Sequence, residues 1–358
     1  MSTSRVVRFG SLVIATAIAV GCGGDRDDAS SSTTQLTASS TTLAAPTSTT
    51  AAAPVSANSS GCKSLEPVPA GNSQVDLTSG GDARYYLRHV PAAYVVGTAM
   101  PVVVDLHGYQ EGASIHTVMS SLGAYGEQQG FITITPQGTS NPVPRWDTDL
   151  ASPDVAFIGD MLDNVETTLC VDVRRIFVTG LSNGAFMTSS MACAYADRFA
   201  AAAPVAGVVS NVKNCKPARA VPLITFHGTD DGFVAFDGGL GKDALELPLP
   251  DGKGKIGDNP EALKGLRGPS VPEHVAGWAK RNGCDATATE TKIADDVTLV
   301  AYSCPSGADV NFYRVEGGGH TWPGSEFSKT IANVVGVTTS SINANELMWK
   351  FFSEHSLP

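Results

Sequence analysis

Basic residues are scarce in this chain of 358 residues: 24 Lys and Arg stand against 35 Asp and Glu, which gives a formal charge of −11 and an isoelectric point near 5.0. A nucleic acid or an anionic membrane surface would need a basic partner, so the acidic balance excludes both as binding targets. The apolar run near the N-terminus, residues 11–20, is also too short to span a bilayer, which takes about 20 residues. The composition, with 42% hydrophobic and 16% charged residues, is that of a globular protein.

The sequence also lacks the residue spacings that are typical of metal sites. No C-x-x-C pair occurs, and no two histidines stand at the spacing of zinc ligands. Asp147 and Asp149 flank a single threonine, a pattern more typical of a turn than of a cation site. We therefore expect neither a metal ion nor a cofactor.

The N-terminus has the pattern of an export signal. Arg5 and Arg8 precede the apolar run, and Ala19-Val20-Gly21-Cys22 resembles the cleavage site of bacterial lipoproteins. This site departs from that pattern at Ala19, where leucine is most frequent. We expect a signal peptide at residues 1–21 and a lipid on Cys22, with a plainly secreted protein as the alternative.

A tether is predicted to follow the signal peptide. Residues 22–60 consist largely of Ser, Thr, Ala and Pro and lack aromatic residues, so they cannot bury enough apolar surface to fold. The folded domain is then expected at residues 61–358, outside the cytoplasm at the cell envelope. We expect a monomer that touches the membrane only through its N-terminal lipid.

Six cysteines remain after Cys22, and an even number outside the cytoplasm predicts three disulfides. Fifteen connectivities are open. We favour Cys284–Cys304, because a segment of strand length lies between the two residues. We also favour Cys193–Cys215 and Cys62–Cys170.

Apolar runs of strand length alternate with helix-like segments along most of the chain. The predicted strands are Ala83–Val90, Met100–Leu106, Phe131–Thr135, Ile176–Thr179, Ala202–Val209, Leu223–His227, Val297–Ser303 and Val310–Val315; the predicted helices are Ser114–Gln129, Asp154–Leu169 with Asp154 as N-cap, a segment from Ser182 to about Ala196, Pro272–Asn282 and Asn343–Ser353. This alternation predicts the α/β class, with a mostly parallel sheet covered by helices on both faces. The segment Val234–Gly268 has little periodicity, and we expect it to form a wall of a substrate cleft.

Three loops carry residues that suit acyl transfer. Gly180-Leu181-Ser182-Asn183-Gly184 follows a buried strand and precedes a helix, which is the context of a G-x-S-x-G nucleophile turn. A serine hydroxyl needs a neighbouring base, and the base needs an orienting carboxylate. Asp230 and Asp231 follow the next strand but one, and His320 follows the last predicted strand. The order serine, aspartate, histidine is that of α/β-hydrolases.

These motifs carry a resemblance to a known family. Gly-Leu-Ser-Asn-Gly, then His-Gly-Thr-Asp-Asp at 227–231, then Gly-Gly-Gly-His-Thr-Trp-Pro-Gly at 317–324 resemble the secreted polyhydroxybutyrate-depolymerase-type esterases, which include feruloyl and acetylxylan esterases. The resemblance covers most of residues 61–358. It implies an α/β-hydrolase fold and a serine esterase whose substrate is an ester, polymeric in several members. Its pattern places the acid at Asp231, with Asp230 as the competitor.

Further roles follow for neighbouring residues. The oxyanion of the transition state needs two backbone N–H donors, which we expect from Asn183 and from Tyr109, with Gly108 as the alternative to Tyr109. Trp322 is predicted either to bind substrate or to hold the loop of His320 by packing. His227 is expected to satisfy backbone groups under its loop. His116 is expected to be a surface or packing residue of a helix.

Two other functions share these motifs. An envelope acyltransferase of the same fold would use the same three side chains, with a hydroxyl acceptor in place of water. A binding lipoprotein that retains the fold without catalysis is the other alternative, and the intact set of three residues argues against it. The motifs do not identify the natural ester.

Overall fold

A sheet of ten strands forms the centre of the protein. The computed structural model describes residues 57–64, 66–260 and 268–358, so the predicted signal peptide, Cys22 and nearly all of the predicted tether lie outside the described residues. The strands are β1 (Gly71–Ser79), β2 (Asp82–Val90), β3 (Met100–Leu106), β4 (Ile132–Pro136), β5 (Val171–Leu181), β6 (Ala201–Val205), β7 (Leu223–Gly228), β8 (Ala288–Ala294), β9 (Val297–Tyr302) and β10 (Val310–Val315).

The middle of the sheet is parallel and its two edges are antiparallel. The strand order is β1-β2-β4-β3-β5-β6-β7-β10-β9-β8. Every pair from β4 across to β10 is parallel, whereas β1, β2, β8 and β9 pair antiparallel with their neighbours. The carboxyl ends of β3, β5, β7 and β10 therefore meet at one edge, where ligands of such sheets bind. The predicted α/β-hydrolase fold is confirmed.

Helices cover both faces of this sheet. In the described residues they are α1 (Gly112–Ser120), α2 (Leu122–Gln129), α3 (Pro153–Thr168), α4 (Asn183–Ala194), α5 (Val271–Arg281), α6 (Glu326–Thr330), α7 (Ala332–Val335) and α8 (Ala344–Ser353). Successive residues of β3 enter opposite cores: Val102 and Val104 pack in the core of α3, α4 and α5, and Val103 packs in the core of α1, α2 and α8. A strand buried on both faces explains the unbroken apolar run of β3.

Two predicted helix features differ from the structure. The predicted helix Ser114–Gln129 is two helices, because Ser121 takes a left-handed conformation with φ 53° between them. The N-cap of α3 is Ser152 rather than Asp154, and the Ser152 hydroxyl accepts the Val155 N–H at 3.2 Å. The Asp154 carboxylate instead pairs with the guanidinium of Arg84 at 2.7 Å, a partner 70 residues away.

Two edge strands, β1 and β8, have no counterpart in the sequence prediction. Outward-facing positions of β1, such as Asn72, Gln74 and Asp76, are exposed, and the inward positions are only half-buried. β8 is exposed along almost its whole length. Such edge strands carry a weak apolar signal, so backbone pairing with β2 and β9 decides their conformation.

The segment after β7 is irregular, as predicted. From Val234 to Pro260 it contains short 3₁₀ helices at Asp243–Glu246 and Ile256–Asp258 and two isolated bridges. The Tyr109 hydroxyl donates to the Pro248 carbonyl at 2.9 Å, so this segment lies against the loop that follows β3.

Three disulfides join the pairs favoured from the sequence. They are Cys62–Cys170, Cys193–Cys215 and Cys284–Cys304. The first ties the start of the fold to the start of β5, where the Ser59 hydroxyl also donates to the Leu169 carbonyl at 2.7 Å. Ala57, the first described residue, already contacts the fold: its carbonyl accepts the Val173 N–H at 2.9 Å, shortly before the expected boundary at residue 61.

We expect the disulfides to contribute unequally to stability. A disulfide restricts the unfolded chain more when it closes a longer loop, and Cys62–Cys170 spans 108 residues whereas Cys284–Cys304 spans 20. Replacing both cysteines by serine should lower the free energy of unfolding by about 5 kcal/mol for the first pair and about 3 kcal/mol for the second. Guanidinium titrations of the two double variants test this order, and equal or reversed losses would contradict it.

Candidate active site

Ser182 stands at the turn between β5 and α4 in a strained conformation. Its φ of 58° and ψ of −118° lie in a region that residues with a side chain rarely adopt. Gly184 follows two residues later, where a Cβ would collide with the Leu106 carbonyl oxygen. A Cβ at Gly180 would come within 2.7 Å of the same oxygen. The two glycines thus allow the turn to pack against the end of β3, and the serine is partly exposed.

His320 and Asp231 form a buried pair on two neighbouring loops. The Nδ1 of His320 lies 2.7 Å from Oδ2 of Asp231, and Oδ1 of Asp231 accepts the N–H groups of Phe233 and Val234 at 2.8 and 2.9 Å. The competing carboxylate, Asp230, is exposed. Its backbone N–H donates to the Gly318 carbonyl at 2.9 Å, which holds the two loops together.

The surroundings of Asp231 favour its ionised form. Burial by itself raises the pKa of this carboxyl, but His320, His227 and the Val234 N–H outweigh burial and lower it. The Nε2 of His227 lies 2.9 Å from the Val234 carbonyl and 3.3 Å from Oδ2 of Asp231. Burial lowers the pKa of His227, which keeps this ring neutral. His227 therefore satisfies a backbone group under the loop, as predicted.

All three predicted catalytic residues lie at one edge of the sheet. Ser182 follows β5, Asp231 follows β7 and His320 follows β10, and these strands run parallel. Within the described residues, the Ser182 hydroxyl makes no hydrogen bond to His320. A catalytic hydrogen bond of this kind is often long without substrate and tightens in the complex.

The loop after β3 lies directly beside the nucleophile turn. A Cβ at Gly108 would stand 3.7 Å from Cβ of Ser182. The Gly108 N–H already donates to the Glu111 carboxylate at 2.6 Å, so it is not free for a substrate. Among the described residues, the backbone N–H groups of Tyr109 and Asn183 have no acceptor, which suits the two predicted oxyanion donors.

Trp322 is a packing residue. Its ring is only 1% exposed, and its Nε1–H donates to the side-chain oxygen of Asn345 at 2.9 Å. The predicted contact with substrate is therefore wrong, and the alternative, packing that holds the loop of His320, describes its position. A tryptophan in a glycine-rich loop is compatible with substrate binding and with packing, because the residues packed around the loop in the folded protein decide where its ring lies.

His116 is not a surface residue but the centre of a buried charged cluster. Its Nε2 lies 2.7 Å from the Asp105 carboxylate, and its Nδ1 lies 3.0 Å from the Glu111 carboxylate. Sequence reasoning missed this cluster. The available signal was Asp105 itself, a charged residue in an apolar strand that is buried on both faces and therefore needs a partner.

A cavity of about 390 Å³ opens beside the nucleophile helix α4. Phe186 and Ser190 of α4 line one side, and the turn Asp147–Leu150 lines another. The segment that holds this turn also contacts the residue after Ser182, since the Asn183 side chain accepts the Trp146 N–H at 2.7 Å. A larger cavity, of about 570 Å³, lies between α1 and the β1–β2 edge, and the residues that line these two cavities include none of the three candidate catalytic side chains.

The fold and these loops define a protein of the α/β-hydrolase class. The chain matches no protein-family model. It is 28% identical over 240 residues to feruloyl esterase B of Piromyces equi, covering 64% of this chain and 41% of that protein. It is 36% identical over 138 residues to poly(3-hydroxyalkanoate) depolymerase C of Paucimonas lemoignei, covering 36% of this chain and 32% of that protein.

A solved structure, the acetyl xylan esterase from Aspergillus awamori, superposes with a TM-score of 0.49 at 18% identity, covering 73% of this chain and 98% of that one. The chain spans less than half the length of the two curated relatives above. The sequence similarity nevertheless supports the resemblance predicted from the three motifs: the chain is similar to a feruloyl esterase and to a polyhydroxyalkanoate depolymerase.

The buried position of Trp322 leads to a prediction about stability. Trp322→Ala should lower the free energy of unfolding by about 3–5 kcal/mol, because it leaves a cavity in the core and an unpaired Asn345 oxygen. Thermal or denaturant unfolding measures this loss. Tyr109→Ala, which removes a partly exposed ring, is the control and should lose clearly less. Equal losses would contradict the packing role.

Proposed function

We propose that the protein is a carboxylic ester hydrolase in which Ser182 is the nucleophile, His320 the general base and Asp231 the orienting acid. The observation that carries this proposal is the buried bond of 2.7 Å between Asp231 and His320, at the same sheet edge as the strained Ser182. A histidine held by a carboxylate at Nδ1 presents Nε2 to a nucleophile, which is the arrangement that serine hydrolases need.

In the first half of the reaction, Nε2 of His320 takes the proton of the Ser182 hydroxyl as Oγ attacks the ester carbonyl. The negative charge moves to the carbonyl oxygen, where the N–H groups of Tyr109 and Asn183 stabilise it. One donor of this kind contributes about 3–4 kcal/mol to transition-state stabilisation. His320 then gives its proton to the leaving alcohol, and an acyl-serine remains.

In the second half, water replaces the alcohol. His320 takes a proton from the water molecule, the hydroxide oxygen attacks the acyl carbon, and the proton returns to Oγ of Ser182 as the acid leaves. Asp231 stays ionised throughout, since the two N–H groups that its Oδ1 accepts do not depend on the state of His320. Its charge stabilises the imidazolium that forms in each half-reaction.

We propose esters of polymers or cell-wall material as the substrate class, of feruloyl, acetyl or hydroxyalkanoate type. The names of the two curated relatives point to feruloyl and hydroxyalkanoate esters. The cavity lined by Phe186 lies one helical turn from Ser182, whose carbonyl accepts the Phe186 N–H at 3.0 Å, and we propose that one side of the ester reaches it. The contact of Tyr109 with Pro248 brings the irregular segment after β7 to the loop that carries a proposed oxyanion donor.

We also propose that the protein acts outside the cytoplasm, attached through a lipid on Cys22 and monomeric. Three disulfides are typical of an oxidising compartment, and the sequence begins with a signal-like segment. No helix in the described part of the chain combines the length and the apolarity needed to cross a membrane.

A panel of esters tests the activity and its substrate. We expect turnover of p-nitrophenyl acetate and of at least one of methyl ferulate, acetylated xylan and hydroxybutyrate oligomers. Ser182→Ala should reduce turnover to the residual rate that binding and the oxyanion donors supply, with the melting temperature nearly unchanged. Labelling of the wild type by a fluorophosphonate should vanish in the same variant. Full turnover in Ser182→Ala would exclude Ser182 as nucleophile.

Substitution of each of two adjacent aspartates tests which carboxylate orients His320. Asp231→Asn should lower kcat by roughly 10⁴-fold, because an amide at this position no longer holds the required tautomer of His320. Asp230→Asn changes the neighbouring, exposed carboxylate and should leave kcat within about twofold. Steady-state kinetics of the two variants on p-nitrophenyl acetate measure the difference. A comparable loss in both would contradict the role of Asp231.

A further inference from the structure

A buried cluster of three charged side chains lies beneath the loop that follows β3. We call it the Asp105–His116–Glu111 cluster. Asp105, at the end of β3, and His116, in α1, have no exposed surface, and the Glu111 side chain is 9% exposed. Both ring nitrogens of His116 are bound to carboxylates, at 2.7 Å to Asp105 and 3.0 Å to Glu111. The Ser120 hydroxyl donates to the other oxygen of Asp105 at 2.6 Å.

The cluster is ionic. Burial by itself lowers the pKa of His116, but the two carboxylates outweigh burial and raise it to about 10. Burial likewise raises the pKa of Glu111, and its bonds to His116 and to the Gly108 N–H outweigh burial and lower it. Removing one member of a buried ion pair leaves an uncompensated charge, so each member depends on the others.

One oxygen of this cluster holds the backbone beside the nucleophile. Oε2 of Glu111 accepts the Gly108 N–H at 2.6 Å, while the Gln110 N–H on the other side donates to the Pro144 carbonyl at 2.8 Å. Tyr109 lies between these two fixed points. The Tyr109 N–H belongs to the Gly108–Tyr109 peptide, whose carbonyl oxygen lies 2.8 Å from Nδ1 of His107, and the Glu111 carboxylate fixes the peptide directly before it.

The same cluster touches the loop of His320. The Trp322 ring meets the His116 ring edge-on, with centroids 5.8 Å apart. The Asn345 side chain accepts from Trp322 and donates to the Ser120 carbonyl at 2.8 Å. The loop that carries His320 and the loop after β3 therefore both pack against the His116 cation.

We propose that Glu111 and His116 are positioning residues that hold the Tyr109 N–H in place as an oxyanion donor. The proposal rests on the proposed ester hydrolysis at Ser182. The carboxylate of Glu111 fixes the His107–Gly108 peptide, which adjoins the peptide of the Tyr109 N–H, and His116 fixes Glu111 while balancing its charge. Neither side chain touches the substrate in this scheme.

The expected consequence is a loss confined to the transition state. The charge on the carbonyl oxygen appears only after attack, so a misdirected Tyr109 N–H weakens binding of the transition state and leaves binding of the ester nearly unchanged. A small misplacement of a catalytic group costs up to about 10²-fold in rate. For this reason kcat, rather than KM, reports on the cluster.

The test uses Glu111→Gln and His116→Gln in the full chain. With p-nitrophenyl acetate we expect kcat to fall about 10- to 100-fold, with KM within about twofold of the wild type. A trifluoromethyl ketone, whose hemiketal oxyanion occupies the position of the carbonyl oxygen, should bind more weakly by the same factor as kcat/KM falls. A residue with a merely structural role would lower the melting temperature without this matched loss of inhibitor affinity.

His355→Gln is the matched control. His355 is also buried, and its Nε2 lies 2.8 Å from the Asp309 carboxylate, but it follows α8 and has no bond to the loop after β3 among the described residues. We expect this variant to lose stability and to keep kcat and inhibitor affinity within about twofold. If His116→Gln fails to fold, Glu111→Gln, which keeps the shape of the side chain, decides the outcome.

The results separate the two proposals. Absence of ester turnover and of fluorophosphonate labelling in the wild type would overturn the proposed hydrolase activity. An active wild type together with a Glu111→Gln variant of unchanged kcat and unchanged inhibitor affinity would overturn the positioning role alone. An equal loss of kcat in His355→Gln would also overturn it, because the effect would then follow from any buried histidine pair.

Discussion

Charge buried at the carboxyl edge of the sheet is the constraint on which the rest of this structure depends. Two carboxylates, Asp105 and Asp231, lie there with almost no exposed surface, and a buried carboxylate is costly unless it is paired and hydrogen-bonded. Each has a histidine at 2.7 Å, His116 or His320. Helix α1, which carries His116, and the loop that carries His320 must therefore come together at this edge for the protein to fold.

The two pairs are chemically different because their histidines have different second partners. His116 has a carboxylate on each nitrogen and no exposed surface, so it remains a fixed cation that supports the backbone. His320 has a carboxylate on Nδ1 only, and within the described residues its Nε2 binds no other side chain. Its side chain is 8% exposed, whereas that of His116 has no exposed surface. The arrangement around His116 suits a cation that supports the backbone, and the arrangement around His320 suits proton transfer.

Much of this site could be predicted from local sequence. The glycines around Ser182 and the apolar strand before it indicate a nucleophile turn, since a turn this tight needs small neighbours. The disulfide pairs were also predicted. The N-cap of α3 was not predicted, because Asp154 pairs with Arg84, which lies 70 residues away in the chain. The break at Ser121 was not predicted either, because this residue turns the chain without being a glycine or a proline.

The sequence by itself determined the order of the chemical groups along the chain and the strands that precede them. Those features are local, since apolar runs, glycines and the residues of a turn act over a few positions. The family pattern already favoured Asp231 over Asp230, and the structure places its carboxylate 2.7 Å from His320. The tertiary structure alone decided that Trp322 is enclosed and that His116 is a buried cation. These outcomes depend on burial and on partners from distant segments, and the neighbouring residues in the sequence predict neither.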